Sequence, residues 1–316
     1  MLTISTTYSK LSQHKYCNSI ITIGSFDGIH LGHQKIFDKM NELSLESSDS
    51  SKILITFDPH PASILNEREQ EPYQLSSSLF DKINLIPKNS IDVIVIILFD
   101  KTLSLVPAKD FFKQIVNSFD PVHIVMGYNH GFGYKREGNA EFLKAKYNNT
   151  KLKVHKIEPQ KIDGNTIVSS TLIRRLILEG KIKEANLMLN KTYSLTAKVV
   201  RGNGLGKKIN FPTINLAPLN DKQLVPKNGV YFVKLIIDNQ KYDGMCNIGF
   251  RPTITNSEEE TIEIHIFRVK LNADFYNREV KVFFIEYIRE EIKFKNIDFL
   301  VQQLHKDKQK CLSIKV

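Results

Sequence analysis

Between the apolar run Ser19–Thr22 and the helical pattern QKIFDKMNEL, the chain reads IGSFDGIHLGH from Ile23 to His33. Gly24, Gly28 and Gly32 allow a backbone to come close to a ligand. His30 and His33 stand three apart and share one face of an incipient helix. A strand that turns into a helix exposes unpaired N–H groups suited to a phosphate, and both imidazoles can address the same phosphate group. The pair has two other readings. Zinc would want a third and a fourth ligand and usually HExxH spacing, which is absent. Structural histidines at a helix start would need no ligand at all.

Three further groups are ambiguous when taken singly. Ser169, Ser170, Thr171 and Arg174 in VSSTLIRR read as an N-cap followed by a basic helical turn, a common structural item. Gly202, Gly204 and Gly206 in RGNGLGKK are a weak sign, since turns use glycine freely, and gain weight from the Pro212-Thr213-Ile214-Asn215 that follows. Glu263, alone on the alternating run IEIHIF, is by itself an ordinary solvent-facing strand residue.

The elements that must position these residues fall into two patterns. Up to about residue 190, apolar runs (SIITIG, KILITF, IDVIVIIL, VHIVMG) alternate with amphipathic stretches (LGHQKIFDKMNEL, PAKDFFKQIVNSF, AEFLKAKY). Continuous apolar strands separated by such helices predict a parallel sheet covered on both faces, a doubly wound α/β domain. From Tyr193 the strands follow one another with turns between them, as in SLTAKVV, GVYFVKLIID, YDGMCNIG, TIEIHIF and REVKVFFIEYI, and a helix in NIDFLVQQLHKDKQK closes the chain. This predicts a second, mainly antiparallel β-barrel domain, with the division at 1–190 and 191–316 and no internal repeat.

Composition sets limits. The 316 residues suffice for two domains with their own cores, and 41% hydrophobic with 25% charged residues is ordinary for a soluble globular protein. The longest apolar run, IDVIVIILF, is about half of what a bilayer needs. The N-terminal residues have no continuous apolar core and do not read as a secretory signal. Cys17, Cys246 and Cys311, an odd set without CxxC spacing, favour reduced thiols and a cytoplasmic location. A net charge of +10 admits polyanionic partners, but the lysines are scattered rather than gathered into the stripe typical of nucleic-acid binding.

Taken in order, the motifs resemble a known family. GSFDGIHLGH is similar to the signature of the nucleotidylyltransferase superfamily, whose HxGH pair contacts ATP phosphates. FDPHP (Phe57 to Pro61), GYNHGFGYKREG (Gly127 to Gly138) and IVSSTLIRRLILEGKIKEA (Ile167 to Ala185) resemble further motifs of the FMN adenylyltransferase module of bacterial bifunctional riboflavin kinase/FAD synthetases. RGNGLGKKINFPTINL (Arg201 to Leu216) resembles the flavokinase pattern in which a glycine-bearing loop precedes PTAN. NGVY at 228–231, CNIGFRPT at 246–253, IEIHIF at 262–267, DFYNREV at 274–280 and IREEIKF at 288–294 extend the likeness over nearly the whole chain.

That resemblance implies two ATP-dependent steps: phosphorylation of riboflavin to FMN in 191–316, then adenylylation of FMN to FAD with release of pyrophosphate in 1–190. It carries the base role to Glu263 and magnesium ligation to Thr213 and Asn215. The loop of Gly202, Gly204 and Gly206, with Lys207 and Pro212, is expected to cradle ATP phosphates. In the other step His30, His33, Ser169, Ser170, Thr171 and Arg174 are expected at the triphosphate, with Gly24, Phe26, Asp27 and Gly28 approaching the nucleotide. Asn129 and Arg289 complete the expected binding residues. The implied partners are ATP, riboflavin, FMN and Mg2+, without nucleic acid or membrane, and oligomeric state is not legible.

The chain also departs from the family pattern. Asn210 stands where relatives commonly have Gly, Ile214 replaces the Ala of PTAN, Asn129-His130 replace Asp-Phe, and Arg268 occupies a position where Asp is frequent. Other classes stay open at this level: a nucleotidylyltransferase of different specificity, or one with a degenerate kinase domain, and a nucleic-acid module using the barrel as an OB-like platform.

Overall fold

The computed structural model describes residues 1–47, 49–65, 74–76, 78–202, 204–252, 258–269 and 275–315; Thr253 of CNIGFRPT and Asp274 of DFYNREV lie outside them. The chain forms two compact units, Met1–Glu71 with Leu79–Ser169 and Pro72–Ser78 with Ser170–Val316.

In the first unit six parallel strands, β1 (Leu2–Thr6), β2 (Ser19–Ile23), β3 (Lys52–Asp58), β4 (Val93–Leu98), β5 (Pro121–Gly127) and β6 (Lys153–Ile157), lie in the order β1-β4-β3-β2-β5-β6. Neighbouring residues of these strands feed different cores. Ile20, Leu54, Ile94 and Val125 pack on one side with Ile36, Phe37, Met40 and Leu43 of α1 (Leu31–Leu45). Ile21, Ile53, Val95 and Ile124 pack on the other with Phe111, Phe112, Ile115 and Phe119 of helix 108–119. Both faces are buried, as unbroken apolar runs require. Five shorter helices, α2 (Pro61–Leu65), α3 (Leu79–Asn84), α4 (Lys101–Ser104), α5 (Ala108–Phe119, the helix just described) and α6 (Ala140–Lys146), complete the layers. A small hairpin, β7 (Lys161–Ile162) with β8 (Thr166–Ile167), follows. β1 was not legible in the sequence: LTIST is short, alternating only through Leu2 and Ile4, and its place is secured by pairing with β4. The strand order reverses between β2 and β5, so the loops leaving these two strands flank the switch point where open α/β sheets bind ligands.

The second unit opens with α7 (Ser170–Leu178) and α8 (Ile182–Leu189). The domain division near residue 190 expected from the strand pattern therefore differs from the packing, in which both helices group with the barrel. The reason is local: Asn186 on α8 donates to the Phe284 carbonyl at 2.9 Å and accepts from the Tyr193 amide at 2.7 Å. Six antiparallel strands then close a barrel: β9 (Ser194–Val200), β10 (Ile214–Pro218), β11 (Gly229–Ile237), β12 (Gln240–Pro252), β13 (Glu258–Ile266) and β14 (Glu279–Arg289), ordered β10-β13-β12-β11-β14-β9. A short helix, α9 (Leu205–Lys208), sits in the glycine-bearing loop before β10. The final helix, α10 (Ile297–Ser313), is capped by Asn296 accepting from the Phe299 amide. It lays Cys311 and Leu304 over Val230, Phe232, Met245 and Ile288. One of the family departures fits the backbone: Asn210 (φ +60°) lies in the left-handed region, which asparagine enters with little penalty, whereas nothing in the structure explains Arg268 (φ +58°). Among the described residues no helix is long and apolar enough to cross a membrane.

α10 is held by a two-pronged ion pair. Arg289 Nε and Nη2 donate to the Asp307 carboxylate at 2.9 and 2.7 Å, and Asp307 is 2% exposed. Asp307→Ala leaves a largely buried guanidinium without its partner, so unfolding free energy should fall by about 3–5 kcal/mol, read from denaturant curves of the full chain.

In the first unit Nε2 of His130 is buried without a hydrogen-bond partner, and burial, with Arg136 adding to it, lowers the imidazole pKa from 6.5 to about 4. The unfolded chain therefore takes up the proton first. Stability is fully present above pH 6.5 and is lost as pH falls toward 4. Burial pushes His123 and His155, paired at 3.0 Å, in the same direction. His130→Phe should make the melting temperature less sensitive to acidification across the upper part of that window, measured by thermal melts side by side with the parent chain.

Candidate active sites

The loop after β2 rests on a cap built from the two histidines. His30 is the N-cap of α1: its Nδ1 accepts from the Gly32 amide at 3.1 Å, while the His30 amide donates to Nδ1 of His33 at 3.3 Å. The rings stack with centroids 3.7 Å apart, and Phe26 lies against His33 at 5.0 Å. Because both Nδ1 atoms accept, each neutral ring carries its proton on Nε2, which makes both histidines donors at that atom. They are structural caps and potential phosphate donors together. Gly28 (φ +81°) and Phe26 (φ +48°) turn the loop, and Asp27 and His30 are buried. Gly24 continues the sheet by donating its amide to the Ile55 carbonyl at 3.0 Å. Across the switch point, in the loop after β5, Asn129 is exposed and its carbonyl accepts from Arg136 Nη2. Ser169 ends the first unit, while Ser170, Thr171 and Arg174 stand on the first turns of α7 in the second.

In the barrel, register makes the site. Asn215 on β10 lies opposite Glu263 on β13, and Glu263 lies opposite Asn247 on β12, so three polar side chains form one row across the wall. All three line a cavity of about 340 Å³. Thr213, just before β10, donates its hydroxyl to Glu263 Oε2 at 3.2 Å. Glu263 is thus half-buried in a cavity wall rather than on a solvent-facing surface. The far end of the cavity is apolar, with Met245, Ile292, Phe294, Leu300 and Leu304. A smaller cavity of about 200 Å³, lined by Gly202, Lys207 and Tyr276, shares Gly204, Gly206, Thr213 and Asn215 with the first. A Cβ at Gly202 would overlap the Asn215 amide, so a larger residue there would displace that side chain.

Pro212 enters through its carbonyl. His265, on the same face of β13 as Glu263, donates Nδ1–H to Pro212 O at 2.9 Å, which leaves Nε2 to accept from Lys308 of α10 at 3.3 Å. Burial, foremost, lowers the His265 pKa. Arg289 lines the larger cavity with its guanidinium already committed to Asp307. Sequence reasoning missed Asn247, His265 and the α10 leucines. The spacing Glu263–His265 on an alternating strand was a usable signal, whereas Leu300 and Leu304 reach the cavity only through tertiary packing. Among the described residues no group of three or more His, Cys, Asp or Glu is placed to hold a metal ion.

Comparison with known proteins identifies the family. Residues 12–172 match the FAD synthetase family model and residues 189–315 the riboflavin kinase model. The bifunctional riboflavin kinase/FMN adenylyltransferase of Listeria monocytogenes is 32% identical over 92% of this chain and 91% of its own length. The protein of that name from Bacillus subtilis is 31% identical over 96% and 94%. In fold, the chain resembles the crystal structure of the macrolide-efflux protein from Streptococcus pneumoniae, with a TM-score of 0.87, 28% identity and 100% of both chains covered. With a synthetase sheet, a kinase barrel and relatives aligned across both, the chain belongs to the bifunctional riboflavin kinase/FMN adenylyltransferase family.

Proposed function

We propose that the chain makes both flavin cofactors in sequence: it phosphorylates riboflavin to FMN with ATP, then joins AMP from a second ATP to FMN, yielding FAD and pyrophosphate. The observation that carries the kinase half is the row Asn215–Glu263–Asn247, with Thr213 bonded to Glu263, at the meeting of two cavities. The apolar end of the larger cavity suits the flavin ring, which brings the ribityl 5′-hydroxyl toward Glu263 as general base. The smaller cavity suits the nucleotide, with the backbone of Gly202 to Gly206 and Lys207 along its phosphates.

Magnesium fits the donor set here. Thr213 and Asn215 offer hard, neutral oxygens beside a carboxylate, as expected of an ion held jointly with phosphates rather than in a protein cage. When bound it would neutralise phosphate charge.

For adenylylation the FMN phosphate is itself the nucleophile, and the protein's task is alignment with charge dispersal. Nε2–H donors of His30 and His33 would meet the triphosphate, a role that the resemblance also gives to Ser169, Ser170, Thr171 and Arg174. Gly24, Phe26, Asp27 and Gly28 would border the nucleotide, with Asn129 across the switch point and Arg289 at the kinase cavity. We assign the activities to 1–190 and 191–316, with small molecules as the only substrates. The free thiols of Cys17, Cys246 and Cys311 accord with a cytoplasmic location.

Incubation with riboflavin, ATP and Mg2+ followed by chromatographic separation of flavins should give FMN, then FAD; absence of both would refute the assignment. Glu263→Gln preserves an acceptor for Thr213 but removes the base, so single-turnover FMN formation should fall roughly 10²–10⁴-fold while riboflavin still quenches on binding and supplied FMN is still adenylylated. His33→Ala should lower FAD formation from FMN by on the order of 10²–10³-fold, the scale of a lost transition-state donor. Riboflavin phosphorylation by the same preparation should hold steady, and an equal loss of both rates would argue against separate sites.

A further inference from the structure

Lys82, on α3, is a buried cation that the chemistry above leaves unused; it is 8% exposed, and Leu79, Ile83 and Ile86 beside it in sequence belong to or pack on an apolar core. Its ammonium has three N–H groups and three acceptors: Ser25 O at 3.3 Å, Thr56 Oγ1 at 3.1 Å and Phe57 O at 3.2 Å. Thr56 in turn donates its hydroxyl to Ser25 O at 3.2 Å, which closes a triangle. These atoms belong to two neighbouring strands at their carboxyl ends. The backbone pairing of β2 with β3 runs out at Gly24 N to Ile55 O, and the next carbonyls along, Ser25 and Phe57, are bridged by the Lys82 ammonium instead. Immediately beyond Ser25 the chain enters the left-handed turn of Phe26 and Gly28 that leads into the histidine cap.

A lone ammonium in such surroundings is costly to keep charged unless it is fully bonded and has carboxylates near. Both conditions hold here. Burial pulls the Lys82 pKa down, and the opposing influence comes from Asp27, inside the loop, and Asp58, at the end of β3. The Lys82 charge therefore links loop and strand through electrostatics as well as hydrogen bonds.

We infer that Lys82 is a positioning residue for adenylyl transfer: it fixes the Ser25–Gly28 loop to the end of β3, and through that loop sets where the donors of His30 and His33 stand. This rests on the reading that the first unit adenylylates FMN. The loop has no covalent or ladder constraint of its own at Ser25, and a displacement of about 1 Å at a reacting centre costs on the order of 10²-fold in rate. Lys82 touches no reacting atom, so its removal should alter turnover more than substrate capture.

The test uses the full chain, supplied with FMN, ATP and Mg2+ for one activity and with riboflavin, ATP and Mg2+ for the other. Lys82→Met, which keeps length and apolar character, should lower kcat for FAD formation about 10²-fold, with KM for ATP within about threefold of the parent and riboflavin phosphorylation unchanged. Thr56→Val, which removes only the hydroxyl corner of the triangle, should lower the same kcat by a smaller factor. Near-parental kcat in Lys82→Met overturns the inference, as does a loss that resides in KM alone. If Lys82→Met does not fold, as judged by circular dichroism and thermal melting, Thr56→Val decides, and parental turnover in that variant overturns the inference. A parent chain that makes FMN but no FAD would instead refute the adenylylation reading itself, and with it this role.

Discussion

The antiparallel register of β10, β13 and β12 is the constraint on which the proposed kinase site depends. Because side chains alternate across a strand, Asn215, Glu263 and Asn247 share one face only in this pairing; a slip of one residue on any of the three strands would turn one member of the row away. Closure of the barrel removes the free edges that would let such a slip relax. The same pairing sets His265 two residues along from Glu263, where it holds the Pro212 carbonyl and so the approach to Thr213. Site chemistry here is a product of sheet geometry more than of any one loop.

Two buried cations serve the two units in a parallel way. Arg289 joins β14 to α10 through Asp307, and Lys82 joins α3 to the ends of β2 and β3. In each case the charge is almost fully satisfied by hydrogen bonds, the condition under which burial of an ion is tolerated. An apolar replacement of a complete pair can be as stable, so what such groups supply is definition of geometry. In the barrel that definition places Leu300 and Leu304 in the cavity wall; in the sheet it governs the entry to α1.

The sheet was legible because buried strands announce themselves: IDVIVIIL and KILITF could not be exposed on either face. The barrel was legible from alternation, and the loops proposed for phosphate drew notice through glycines followed by residues of definite chemistry. Features that arise from contacts distant in sequence were hidden. β1 exists by pairing with β4, and the grouping of α7 and α8 with the barrel follows from the Asn186 bonds to Tyr193 and Phe284. Lys82 reads in sequence as one more surface lysine on an amphipathic helix. The cap at His30 was hidden for another reason: histidine is not among the usual N-cap residues, and only the reciprocal bonds reveal the role.

That cap bears on how firmly an anion can be held. With each Nδ1 engaged by a backbone amide, His30 and His33 each present one Nε2–H, and a bond from it to a phosphate oxygen is charge-assisted through the acceptor alone. Pyrophosphate leaving the proposed adenylylation site would therefore part from two donors that carry no full charge of their own, beside the helix N-terminus. The same two bonds that start the helix thus leave Arg174 as the one full positive charge among the side chains proposed to hold that polyanion.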